Sequence, residues 1–99
     1  MLCKIARSRL KPEAVNSFKK IIRDEYVPVI TKQKGFRGFS FGIKENNEFT
    51  IILYWMESGD MSKWAKSKEH ARISKKTVPL FIVDVDQDIY QVEEQEWLI

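Results

Sequence analysis

The sequence predicts a single α+β domain with the element order β-α-β-β-α-β. Three observations carry this. Four stretches have strand character, two stretches keep helical spacing, and glycine, proline or asparagine punctuates the chain between them. The 99 residues fit one domain, with a small core.

Leu2, Lys4, Ala6 and Ser8 alternate with Cys3, Ile5, Arg7 and Arg9, as in a first strand. Lys11-Pro12-Glu13 then starts a helix, with proline in the first turn and an acid near the positive end of the dipole. Val15, Phe18, Ile22, Tyr26 and Val29, backed by Ala14, Ile21 and Ile30, recur at three and four residues and mark its buried face. Pro28 lacks a backbone donor, so the helix should bend or break near residues 24–28, and Gly35 ends the segment. Residues 36–43, FRGFSFGI, and 48–56, EFTIILYWM, form a hairpin about Lys44-Glu45-Asn46-Asn47. A second helix begins near Met61, re-caps at Ser67 and continues through residues 70–76. Residues 77–85, TVPLFIVDV, read as the fourth strand, and about 86–99 as a C-terminal extension ending in Glu96-Trp97-Leu98-Ile99.

This order indicates a ferredoxin-like domain, with two helices on one face of a four-stranded antiparallel sheet. On residues 48–56, Phe49, Ile51, Leu53 and Trp55 point one way and Thr50, Ile52, Tyr54 and Met56 the other, so both faces are largely apolar. The helices can cover only one. The economical cover for the second is the same face of another copy, and a homodimer is expected.

The net charge of +3 conceals an asymmetry. Residues 1–76 hold all 17 Lys and Arg against 8 acids, and residues 77–99 hold 6 acids and no base. The bases are dispersed among acids, which suits solvated helix faces better than a nucleic-acid surface. RGFSFGI (residues 37–43) begins like an RNA-recognition motif, but it occupies strand two instead of strand three, and strand one has no aromatic to share the stacking. No nucleic-acid partner is expected. The chain lacks a run of about 18 apolar residues and a signal-peptide pattern, and Cys3 is its only cysteine, so a cytoplasmic protein without a membrane partner is expected. Asp84, Asp86 and Asp88 open like a calcium loop, but Ile89 stands at its sixth position and Gln95 at its twelfth, and no metal is expected.

Ser8-Arg9-Leu10 leaving strand one, Pro28 followed by Lys34-Gly35-Phe36-Arg37-Gly38, and FTIILYW followed by a helix bearing Trp64 resemble the antibiotic biosynthesis monooxygenase superfamily of dimeric α+β barrels. The resemblance covers nearly the whole chain. It implies sheets of two protomers packed face to face, and a pocket between sheet and helices. The activity it implies is cofactor-independent oxygenation of a small phenolic or quinol-like aromatic. A non-catalytic module, stress-related or holding a small apolar metabolite, is the alternative. Haem-degrading members carry an Asn leaving strand one, a Trp in helix two and a His about three turns later. Trp64 matches that pattern, but Ser8 replaces the Asn, and His70 follows Trp64 too early. Haem chemistry is therefore not expected, and no cofactor is assigned.

Four residues are site candidates. Trp64 is a core aromatic, a pocket wall, or both. His70 is the natural proton acceptor, since only its ordinary pKa lies near 6.5, although its charged neighbours also suit a solvated residue. On a continuous helix His70 would sit about 120° from Trp64, so the two share a pocket only if the helix breaks near Ser67. Tyr54 places its phenol in the cavity or in the dimer contact. Ser8 is uncommitted as a substrate-binding residue.

Overall fold

The computed structural model describes residues 1–96; the apolar end at Trp97-Leu98-Ile99 lies outside them. Strands β1 (Leu2–Arg9), β2 (Phe36–Ile43), β3 (Glu48–Trp55) and β4 (Asp86–Gln91) form one antiparallel sheet in the order β2-β3-β1-β4. Helices α1 (Val15–Ile21), α2 (Val27–Ile30), α3 (Ser58–Ala65) and α4 (Lys68–Thr77) supply the second layer of this ferredoxin-like arrangement. None of the described helices is long and apolar enough to cross a membrane.

The first helical segment answers the proline problem by widening. A π turn, Ile22–Tyr26, joins α1 to α2, and Pro28 sits in the first turn of α2. Proline has no N–H for an ordinary helical bond and its ring crowds the preceding turn, so a looser winding ahead of it relieves both. Phe18, Ile22 and Ile30 are buried against Phe49, Ile51, Leu53 and Trp55 of β3, where each large apolar side chain contributes about 1.5–3 kcal/mol. Gly35, at φ +79°, turns the chain into β2. Asn47, at φ 68°, closes the β2–β3 hairpin, with Lys44 N donating to Glu48 O at 2.8 Å.

Two expectations are corrected. Residues 77–85 are not the fourth strand. Thr77 ends α4, and Val78–Leu80 make a 3-10 turn around Pro79, which cannot donate to a ladder. Phe81 makes a single bridge to Leu10 and packs on Phe18 and Phe49, while Ile82 and Val83 are exposed. The fourth strand lies inside the stretch read as an extension. There, Asp86 and Asp88 pair with Arg7 at 3.7 and 3.0 Å, so two of the three aspartates of the calcium-like run are engaged by a base. Charged side chains suit an edge strand because they discourage further pairing.

The second correction concerns β2, where strict alternation over residues 36–43 would set Phe36 on the same face as Gly38, Ser40 and Gly42. A bulge between Phe36 and Gly38 shifts the register by one residue. Phe36 opposes Trp55 on the helix-facing side with Phe39 and Phe41, while Gly38, Ser40 and Gly42 lie on the open side. The aromatics of RGFSFGI therefore point into the core, away from the open sheet face where bases would stack.

Candidate active site between sheet and helices

Helix α3 ends at Ala65, and Ser67 caps α4 with extended backbone (φ −73°, ψ 157°). The Ser67 hydroxyl accepts from the His70 backbone N–H at 3.1 Å and donates to the Trp64 carbonyl at 2.7 Å. This break brings together two rings that a straight helix would separate. The His70 imidazole meets the Trp64 indole edge-on, with centroids 5.5 Å apart and planes at 86°. Trp64 also contacts Tyr26, at the end of the π turn, at 5.9 Å and 78°.

Behind these rings the helix layer does not fill the space above the sheet. A chamber of about 210 Å³ runs between α1, α4 and the sheet, lined by Phe18, Ile22, Ile51, Ile73 and Phe81 among others. A second space of about 70 Å³ lies toward Trp64, Trp55 and Met61. Ala6, Tyr26, Ile51, His70 and Gln87 line both, which makes His70 and Tyr26 the shared wall. A cavity of about 150 Å³ accepts benzene, so the larger chamber suits one substituted aromatic ring.

The polar groups around this space are few. Burial holds the His70 imidazole below its ordinary pKa, and the nearby Lys4 cation adds to the effect, so His70 is neutral at pH 7 and available as a base. Burial pushes the Tyr26 phenol up to about 12 and keeps it protonated, with a small opposing pull from the Trp64 indole. Trp64 Nε1 is buried without a well-formed hydrogen-bond partner. Its nearest polar neighbour is the Tyr26 hydroxyl, whose pKa it lowers, so the indole N–H faces the small space beside His70 with at most a poor bond to Tyr26.

The other two candidates lie elsewhere. Ser8 is buried on the helix-facing side of β1, and its hydroxyl donates to Val83 O at 2.6 Å, fastening the looped segment before β4. Tyr54 pairs in register with Cys3 on the open sheet face and lines neither helix-facing space. A larger cleft, of about 620 Å³, sits at one end of the sheet among Arg7, Arg9, Glu48 and Asp86. Its ionic groups largely pair with one another; Arg9, for example, donates to Glu48 at 2.7 Å.

Sequence reasoning did not single out Tyr26, Gln87 or Lys4 as site residues. A signal existed for Lys4, which alternates with Leu2, Ala6 and Ser8 and so shares the face that pairs with Leu53 and Ile51.

With this geometry established, comparison with known proteins identifies the lineage. The sequence model for antibiotic biosynthesis monooxygenases matches residues 1–76. The chain belongs to the antibiotic biosynthesis monooxygenase family. No curated protein matches it in a sequence search. Among solved structures, it is similar to an antibiotic biosynthesis monooxygenase at 14% identity and TM-score 0.83, over 95% of this chain and 100% of that one. Rv0793 from Mycobacterium tuberculosis aligns at 13% identity and TM-score 0.82, covering 95% and 96%. A conserved protein from Methanosarcina mazei Go1 gives 16% and 0.82, covering 91% and 90%. At such identities the likeness establishes the family's fold and transfers no site residue.

Proposed function

We propose that this family member is a cofactor-independent monooxygenase of a small phenolic or quinol-like aromatic, bound in the chamber between sheet and helices. The observation that carries the reading is the break at Ser67, which sets a neutral imidazole against Trp64 at the wall of an apolar cavity. His70 takes the phenolic proton, and the resulting anion is electron-rich enough to react with oxygen directly. A methylene conjugated to that anion becomes a carbonyl. One oxygen atom enters the product, the other leaves as water, and the substrate supplies every electron. The largely apolar walls limit water around the anion, and Trp64 Nε1, in the adjoining small space, donates to a substrate oxygen that reaches it. General-base assistance of this kind is worth about 10²–10⁴ in rate.

The same proposal places the open sheet face, with Ile5, Ile52, Tyr54 and Tyr90, against a second copy of the chain. Tyr54 and Cys3 then belong to the dimer contact, and Ser8 to the fastening of the β4 approach. Oxygen uptake by the purified, cofactor-free protein with a panel of quinols and anthrones tests the catalytic reading. Binding without uptake across the panel would favour the binding-module alternative.

A further inference from the structure

The smaller space of about 70 Å³, which shares the His70 and Tyr26 wall with the chamber, contains a cation. Lys4 lies at the centre of β1 on the helix-facing side, in register with Leu53 of β3 and Ile89 of β4, and lines the space shared with His70, Tyr26 and Trp64. A lysine on the inner face of a sheet ordinarily has a carboxylate partner or reaches out to water. The Lys4 side chain forms no hydrogen bond or ion pair among the described residues. Four acids hold other bases. Asp86 and Asp88 hold Arg7 on the opposite face, Glu48 holds Arg9, and Glu25 holds Arg72 and Lys76. The groups facing Lys4 around the cavity are His70 from α4, Tyr26 from the π turn, Leu53 from β3, and Gln87 and Ile89 from β4. None of them is an anion.

We propose that Lys4 receives the ionised oxygen of the bound aromatic, so that the chamber selects phenols and enols that bind as anions. The proposal rests on the catalytic reading for its role in turnover, and on the cavity alone for binding. An ammonium with no counter-ion among the described residues, half-buried in the small space that adjoins the chamber, is offset by a ligand anion more than by any described group around it. The arrangement also resolves the state after proton transfer. Once His70 carries the proton, two cations would stand together, and a phenolate between them stabilises both. The stabilisation therefore grows as the anion forms, which is the requirement for lowering a barrier. Burial already holds the Lys4 ammonium below its ordinary pKa, and a bound phenolate is expected to raise it again.

The probe is para-nitrophenol, whose ionised form absorbs visible light, titrated with pH in the presence of saturating protein. Lys4→Met and Lys4→Arg are compared with the wild type, after thermal unfolding has checked that each is folded. The expected result is a bound phenol that ionises about one pH unit lower than the free one, a tenfold gain in the ratio of ionised to neutral phenol. That shift should vanish in Lys4→Met and survive in Lys4→Arg. A phenol that binds without the shift, a shift that persists in Lys4→Met, or no binding at all would overturn the proposal. If Lys4→Met does not fold, loss of the shift on acetylating the wild-type lysines, with protection of Lys4 by prior phenol occupancy, is the expected substitute, and an unprotected Lys4 overturns it. Oxygen uptake measured on the same samples separates the two readings. Uptake with no ionisation shift removes Lys4 and leaves the oxygenase, whereas a Lys4-dependent shift with no uptake leaves an anion-binding site without catalysis.

Discussion

Removing the Ser67 hydroxyl tests the link between local structure and site geometry. In Ser67→Ala the His70 backbone N–H loses its 3.1 Å acceptor, while the Trp64 carbonyl keeps the 3.0 Å bond from Ser67 N. The net loss is therefore one N-cap, worth about 1 kcal/mol, with little added for the carbonyl. For a domain of this size that lowers Tm by about 4–8 °C. Ser67→Asp keeps an acceptor at the cap and adds a charge favourable to the α4 dipole, so it should stay near wild type. The local consequence is more telling than the stability. The contact between His70 and Trp64 depends on the break being held, so the pH-dependent quenching of indole fluorescence by His70 should weaken in Ser67→Ala and persist in Ser67→Asp. Circular dichroism melts and a fluorescence pH titration read both. Equal melting of all three proteins, or unchanged quenching in Ser67→Ala, would refute the claim that this cap builds the site.

Three further outcomes are expected. Gly35→Ala should cost about 1–2 kcal/mol in urea unfolding, because φ +79° is unfavourable for an L residue and the new Cβ runs into the Asp60 carboxylate; a neutral effect would contradict it. Ser8→Ala should lower stability by about 1 kcal/mol through loss of the bond to Val83 O while leaving phenol affinity unchanged, and a loss of affinity would return Ser8 to the binding site. Sedimentation should show a dimer at micromolar concentration, converted to monomer by Ile52→Asp on the open sheet face; a compact wild-type monomer would sink the dimer proposal.

The legible parts of the fold were those where one physical signal dominated. Alternation located β1 and β3, and the Ser67 cap was visible as a serine followed by an acid in a new first turn. Residues 77–85 misled because a short apolar run suits a strand or a helix end equally, and Pro79 decided for the turn. The true β4, DQDIYQ, is an edge strand that buries almost nothing, so it offered no apolar signature. The bulge at the start of β2 could not be read because period-two alternation has no memory of an inserted residue, and one insertion moved Phe36 to the other face. At the site, His70 and Trp64 were legible together only through the helix break. Tyr54 was visible as a phenol, but its alternation with Leu53 and Trp55 already set it on the face away from the helices. Tyr26 and Lys4 were hidden by ordinary roles, one as a spacing residue of a buried helix face and one as a polar member of an alternating strand.

Oxygen consumption by His70→Gln and wild-type protein, with the anthrone or quinol that the wild type turns over, tests the central claim most directly. Burial and the Lys4 cation both lower the His70 pKa below its ordinary 6.5, so the base form predominates at pH 7. Wild-type uptake should be flat above neutrality and fall as pH drops through a value below 6.5. His70→Gln should lose about 10²-fold or more and the acid limb with it. Uptake that is unchanged in His70→Gln, or a wild type that binds the whole panel and consumes no oxygen, would contradict the account.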